Sequence, residues 1–152
     1  MKIAIGCDHG GLILKPTLIE FFEKNNIEYH DFGTYGAESV DYPDYALPVA
    51  EAVASGEYDY GILICGTGIG MSIAANKVTG IRCALCHDVF SAKATRLHNN
   101  ANMLAFGARV IGVGVMLEIV QAFLGTEFEG GRHIRRLEKI TAIEKKYNGS
   151  EK

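Results

Sequence analysis

With 152 residues, 48% of them apolar and 22% charged, the chain has the length and composition of one globular domain that buries a sizeable core, and residues 1–152 are expected to form it without a second domain. A formal net charge of −3, with no basic run, excludes general attraction to nucleic acid or an anionic membrane, so an anionic partner must be met locally. No stretch reaches the roughly 18 apolar residues of a membrane span, and the apolar run within Met1–Gly6 is too short for a signal peptide, so a cytoplasmic protein is expected, with Cys7, Cys65, Cys83 and Cys86 as free thiols and no disulfide.

Lys2 to Cys7 read as a first strand, followed by a turn at Asp8-His9-Gly10-Gly11. A helix runs from there to about Asn25 with Leu12, Leu18, Ile19 and Phe22 on its face, and Pro16 either kinks it or marks its start. Ile27 to Phe32 make a second strand and residues 33–41 a polar loop. The next helix starts near Pro43 or Tyr45 and turns Ala46, Val49, Ala50 and Val53 inward, with Pro48 leaving its first turns open. Gly61 to Ile64 form a third strand, hydrophobic on both faces, which passes through Cys65 into a glycine-rich turn and a helix to about Val78.

Ile81 to Cys86 read as a strand, and the helix after it opens on Asp88 as N-cap and stops at Asn99-Asn100. Met103 to Phe106 are the fifth strand, followed by a helix to about Leu124. After Gly130-Gly131 a charged helix spans about Arg132 to Tyr147, and its stripe of Ile134, Leu137, Ile140 and Ile143 is expected to pack on a second subunit. This alternation predicts an α/β, doubly wound, three-layer α/β/α fold with a five-stranded parallel sheet, expected in the order 2-1-3-4-5, plus the extra C-terminal helix.

In such sheets ligands sit beyond the carboxyl ends of the strands, where strand order reverses. The turns carrying Asp8-His9 and Cys65 to Gly70 should therefore face each other. Cys65, standing where a strand ends and a helix begins, meets backbone N–H groups, and the partial positive charge there favours thiolate. The set of carboxylate, imidazole, thiol and backbone donors suits proton transfer beside a carbonyl. The bland alternative for Cys65 is a small buried residue at a strand end. Gly66, Gly68 and Gly70 do not fit the dinucleotide fingerprint, because Met71 occupies the third glycine's place, and no Gly-Lys-Ser/Thr follows to make a P-loop.

Cys83-Ala84-Leu85-Cys86-His87 matches a haem-attachment pattern and a redox spacing, but on a buried strand residues three apart point to opposite faces, so a pair of core thiols is expected. Arg132 and Arg136, four apart, share a helix face that fits a phosphate, with Arg109 and His9 able to complete the cluster; a solvated, charge-paired face is the alternative. A crossover helix of about ten residues leaves His98 roughly 15 Å from the edge carrying Cys65, so a catalytic His98 would serve a partner subunit's site. His30, His87 and His133 are assigned no role, and no spacing suggests a metal site.

Gly6-Cys7-Asp8-His9-Gly10-Gly11, Asp41-Tyr42-Pro43-Asp44-Tyr45-Ala46, Cys65 to Gly70 with Ser72-Ile73-Ala74-Ala75-Asn76-Lys77, and His98-Asn99-Asn100-Ala101-Asn102 together closely resemble the type B ribose-5-phosphate isomerases. The likeness continues through Ala105-Phe106-Gly107-Ala108-Arg109 and Gly130-Gly131-Arg132-His133, in order along nearly the whole chain. It implies interconversion of ribose 5-phosphate and ribulose 5-phosphate, a step of the pentose phosphate pathway, through an enediolate, with no metal or other cofactor, in a homodimer or dimer of dimers whose active site is shared between subunits. By the same resemblance Cys65 is the base and His98 assists ring opening. Gly66, Thr67, Gly68, Ile69 and Gly70 supply the anion hole, Asp8 and Asn99 contact substrate hydroxyls, and His9, Arg109, Arg132 and Arg136 hold the phosphate. Isomerases of allose or galactose 6-phosphate share much of the pattern, so a hexose 6-phosphate or a free aldohexose stays open as substrate, as does a flavodoxin-like module for a nucleotide or flavin.

Overall fold

The computed structural model describes residues 1–148. Five strands, β1 (Lys2–Cys7), β2 (Glu28–Asp31), β3 (Tyr60–Cys65), β4 (Cys83–Leu85) and β5 (Met103–Gly107), alternate with helices α1 (Lys15–Lys24), α2 (Pro43–Ala54), α3 (Ile69–Ala75), α4 (Val89–Asn99) and α5 (Val113–Leu124), and α6 (Arg132–Asn148) follows. All strand pairs are parallel. Successive residues of each strand face opposite layers: Ile3, Ile5, Ile62, Ile64, Leu104 and Phe106 pack with Leu18 and Phe22 of α1 and Ile119 and Phe123 of α5. Ala4, Leu63, Met103 and Ala105 meet Val49 and Val53 of α2 and Met71 of α3 on the other face. Strands buried on both faces carry the continuous apolar runs seen in the sequence.

The strand order is β2-β1-β3-β5-β4, which corrects the expected order 2-1-3-4-5. The reason lies in burial. All five residues of β5 are buried, whereas β4 has three residues and its last, Leu85, is exposed, the character of an edge strand. β5 thus takes the place beside β3, with Cys65 opposite Gly107, and the chain beyond it reaches the site.

Prolines start helices rather than kink them: Pro16 and Pro43 stand in the first turns of α1 and α2. α2 runs through Pro48 without a break. Asp88 caps α4 by accepting from the Ser91 N–H at 2.7 Å, and Asn100 ends it in the left-handed conformation at φ 45°. Cys83 and Cys86 lie in opposite layers, and all four cysteines are free. Along α6, Ile134, Ile140 and Ile143 remain about half exposed. Among the described residues no helix is long and apolar enough to cross a membrane.

Candidate active site

The carboxyl edge of β1 and β3 is built from two turns in contact. Asp8, at the end of β1 and 8% exposed, accepts at Oδ1 from the N–H groups of Gly10 (2.8 Å) and Gly11 (3.1 Å), which folds the turn back on itself. A Cβ at Gly10 would come within 3.0 Å of the Gly66 nitrogen, so the two turns touch only because glycine is there. His9 is anchored alongside, its Nδ1 accepting from the Val40 N–H at 3.2 Å.

Cys65 ends β3 with its side chain nearly buried, and its sulfur accepts from the Gly68 N–H at 3.0 Å. Gly68 makes this possible by adopting φ 77° as the residue that opens α3. Of the N–H groups in the turn, that of Gly68 is committed to sulfur, and that of Ile69 to Thr67 Oγ1 at 3.3 Å. Thr67 is exposed at the tip. β5 clamps the turn from its other side, where the Ala108 and Arg109 N–H groups donate to the carbonyls of Cys65 (2.8 Å) and Gly66 (3.0 Å). The Arg109 guanidinium arm lies over Gly66. This position of Arg109 follows from the corrected strand order, which sets the end of β5 rather than of β4 beside Cys65.

Burial pushes the Cys7 and Cys86 thiols up to about 11 and Cys83 up to about 12, leaving them protonated and inert in the core.

His98, Asn99, Arg132 and Arg136 are not in this group. α4 is 11 residues long, about 16 Å at 1.5 Å per residue. Its end lies at the amino edge of the sheet, where Arg82, just before β4, donates to the carbonyls of Asn99 (3.1 Å) and Asn100 (2.8 Å). α6 begins there too: the His98 and His133 rings stack with centroids 4.6 Å apart. The chain thus carries two separated sets, one of Asp8, His9, Cys65 to Gly70 and Arg109, the other of His98 and Asn99 with Arg132 and Arg136. A cleft of about 470 Å³ between α6 and the body is lined by Asn99, Arg82 and Tyr147 but by no residue of the first set.

Three neighbours escaped sequence reasoning. The Tyr42 ring covers Gly70, where a Cβ would meet it at 2.8 Å; its place in the Asp41-Tyr42-Pro43 motif was the available signal. His87 Nε2 accepts from the Gly107 N–H at 3.0 Å, bracing the end of β5 behind the turn. Glu129 stands between His98 and His133, and its spacing of four from His133 was legible but interrupted by Gly130-Gly131.

The family model for ribose/galactose isomerases matches residues 3–140. The ribose-5-phosphate isomerase B of Escherichia coli (strain K12) is 54% identical over 147 residues, covering 97% of this chain and 99% of that one. The structure of Clostridium thermocellum ribose-5-phosphate isomerase B superposes with a TM-score of 0.95 at 58% identity, over 97% of this chain and 99% of the other. That of Mycoplasma genitalium ribose-5-phosphate isomerase B with bound ribulose 5-phosphate gives 0.91 at 42%, over 95% and 96%.

Proposed function

This chain belongs to the ribose/galactose isomerase family, and from that premise we infer that it is an aldose-ketose isomerase interconverting D-ribose 5-phosphate and D-ribulose 5-phosphate. The observation that carries the mechanism is the nearly buried Cys65 sulfur receiving a backbone N–H at the carboxyl edge of β3, faced by the Asp8 turn. A donor aimed at sulfur stabilises negative charge there, as a proton-accepting thiol requires.

With the sugar open, Cys65 removes the C2 proton of the aldose; the C2–H electron pair becomes the C1–C2 double bond, and the carbonyl pair moves onto O1. The resulting enediolate is stabilised by N–H groups of the Gly66 to Gly70 turn. Return of the proton from Cys65 to C1, with the O2 proton passing to O1 as C2 becomes a carbonyl, gives the ketose. The Gly68 N–H moves between sulfur and oxyanion in this scheme, so that it serves both charged states in turn. Asp8 and Asn99 hold substrate hydroxyls, and His9, Arg109, Arg132 and Arg136 bind the phosphate, whose charge the guanidinium groups match in geometry.

His98 assists ring opening in a site assembled from two subunits. What supports this reading is the roughly 16 Å length of α4, which separates the His98 and Arg132 set from Cys65 within one chain. The half-exposed apolar stripe of α6 supports a homodimer, or a dimer of dimers, as the assembly that joins the two sets.

The family also embraces galactose isomerases, which keeps hexose 6-phosphates as a second reading. Comparing kcat/KM for ribose 5-phosphate, allose 6-phosphate and galactose 6-phosphate tests it. Ribose 5-phosphate should lead, because a site sized for five carbons misplaces either the carbonyl or the phosphate of a six-carbon chain. A hexose phosphate turned over faster would overturn the assignment. In Cys65→Ala, turnover should vanish while substrate binding stays measurable; full activity would remove Cys65 as the base.

A further inference from the structure

We propose that His98, Glu129 and His133 form a binding site for a divalent transition-metal ion of the zinc type, and that an ion held there inhibits the enzyme by withdrawing His98 from ring opening. The binding half rests on geometry alone; the inhibitory half rests on the role of His98 proposed above.

One nitrogen or oxygen from each of the three side chains lies within 4.8 Å of the other two. Glu129 Oε2 is 3.3 Å from His133 Nε2 and 4.0 Å from His98 Nε2. The independent sign of a missing ligand is His133. Its ring is 3% exposed, yet Nε2 is buried with no hydrogen-bond partner, and the nearby Glu129 oxygen lies outside hydrogen-bonding geometry. Buried polar atoms are nearly always satisfied, so an orphaned imidazole nitrogen beside a second imidazole and a carboxylate marks a place for an electrophile.

Two imidazoles and one carboxylate are a common three-ligand set for Zn²⁺ that leaves the fourth position to water or substrate. Tetrahedral bonds of about 2.0–2.2 Å place ligand atoms roughly 3.3 Å apart, so His98 must swing inward by about an ångström and out of its stack on His133. It has that freedom. The His98 and Glu129 side chains are 45% and 59% exposed, while buried His133 is the fixed anchor. The backbone is already drawn together: the Glu129 N–H donates to the Leu97 carbonyl at 3.1 Å and the His133 N–H to Gly130 at 3.1 Å. Imidazole ligation selects Zn²⁺, Co²⁺, Ni²⁺ and Cu²⁺ over Mg²⁺ and Ca²⁺, which want oxygen donors.

The test uses the full-length protein stripped with chelator and titrated with Co²⁺ as a spectroscopic stand-in for Zn²⁺. One equivalent per chain should develop visible d–d absorption that Zn²⁺ abolishes and Mg²⁺ does not. Loss of a ligand's supporting partner alone costs about 10–100-fold in metal affinity, so His133→Gln and the exposed, structurally mild Glu129→Gln should each weaken Co²⁺ binding by at least about tenfold. The ratio of activity with Zn²⁺ to activity with chelator should fall well below one for the unaltered protein and return toward one in Glu129→Gln. Absence of Co²⁺ absorption, or bands unchanged in both variants, would overturn the site. A strong near-ultraviolet thiolate-to-cobalt band, or inhibition that persists in Glu129→Gln, would place the ion on Cys65 instead and also overturn it. Co²⁺ binding lost in both variants while Zn²⁺ leaves wild-type activity intact would keep the site, overturn the inhibition and count against His98 in ring opening.

Discussion

Mixing two variants, each expected to be inactive under the proposed roles, decides whether Cys65 and His98 of one chain belong to one active site. Cys65→Ala and His98→Ala proteins, each a homodimer in the proposed assembly, are combined under conditions of subunit exchange. Free exchange of equal amounts makes about half of all dimers mixed. If each site takes Cys65 from one subunit and His98 from the other, a mixed dimer holds one site lacking both residues and one site lacking neither. Recovered activity is then about a quarter of that of the unaltered protein at equal chain concentration. If both residues came from one chain, every site in the mixture would lack one of them and nothing would be recovered. The structure favours recovery, because α4 carries His98, its tenth residue, about 15 Å from the edge where it starts, and Arg82 ties the helix end to the opposite edge of the sheet. The assay is the initial rate of ketose formation, with exchange verified by mass labels on the two variants. Complete exchange with no rise above the parent variants would refute the shared site.

Gly68→Ala should both destabilise the protein and cut kcat/KM, since φ 77° costs an L-residue about 1–2 kcal/mol and the new methyl would stand 2.6 Å from Leu85 Cδ1 and 2.7 Å from the Phe106 carbonyl carbon; an unchanged Tm with unchanged kcat/KM would contradict the described turn. Stability should fall at alkaline pH. Cys7 and Cys86 are raised from 9.0 to about 11 and Cys83 to about 12, so above pH 9 the unfolded chain releases thiol protons that the folded chain retains. The contribution is intact below pH 9 and lost progressively up to about pH 12, and Cys83→Ala should flatten the decline in Tm; a slope unaffected by that change would refute the attribution.

Much of the site was legible because it is local. Strand, cysteine, glycines and helix follow one another in the sequence, and the positive φ of Gly68 together with the N–H donated to Cys65 is settled within four residues. The same holds for the Asp88 cap and the Asn100 stop. What the sequence could not order was β4 against β5, since both read as apolar strands of similar merit. The choice rests on which of them is buried along its whole length, and that depends on the layers above and below.

The sequence by itself determined the alternation of strands and helices, the contact of the β1 and β3 turns at the switch point, and the identity of Cys65 as the thiol that meets backbone donors. These follow from hydrophobic period and from interactions a few residues apart. Only the tertiary structure decided that Arg109 lies over the Gly66 turn, that the start of α6 meets the end of α4, and that His98, Glu129 and His133 converge. Each of these joins segments whose approach is set by packing of whole elements, for which no local spacing is a guide.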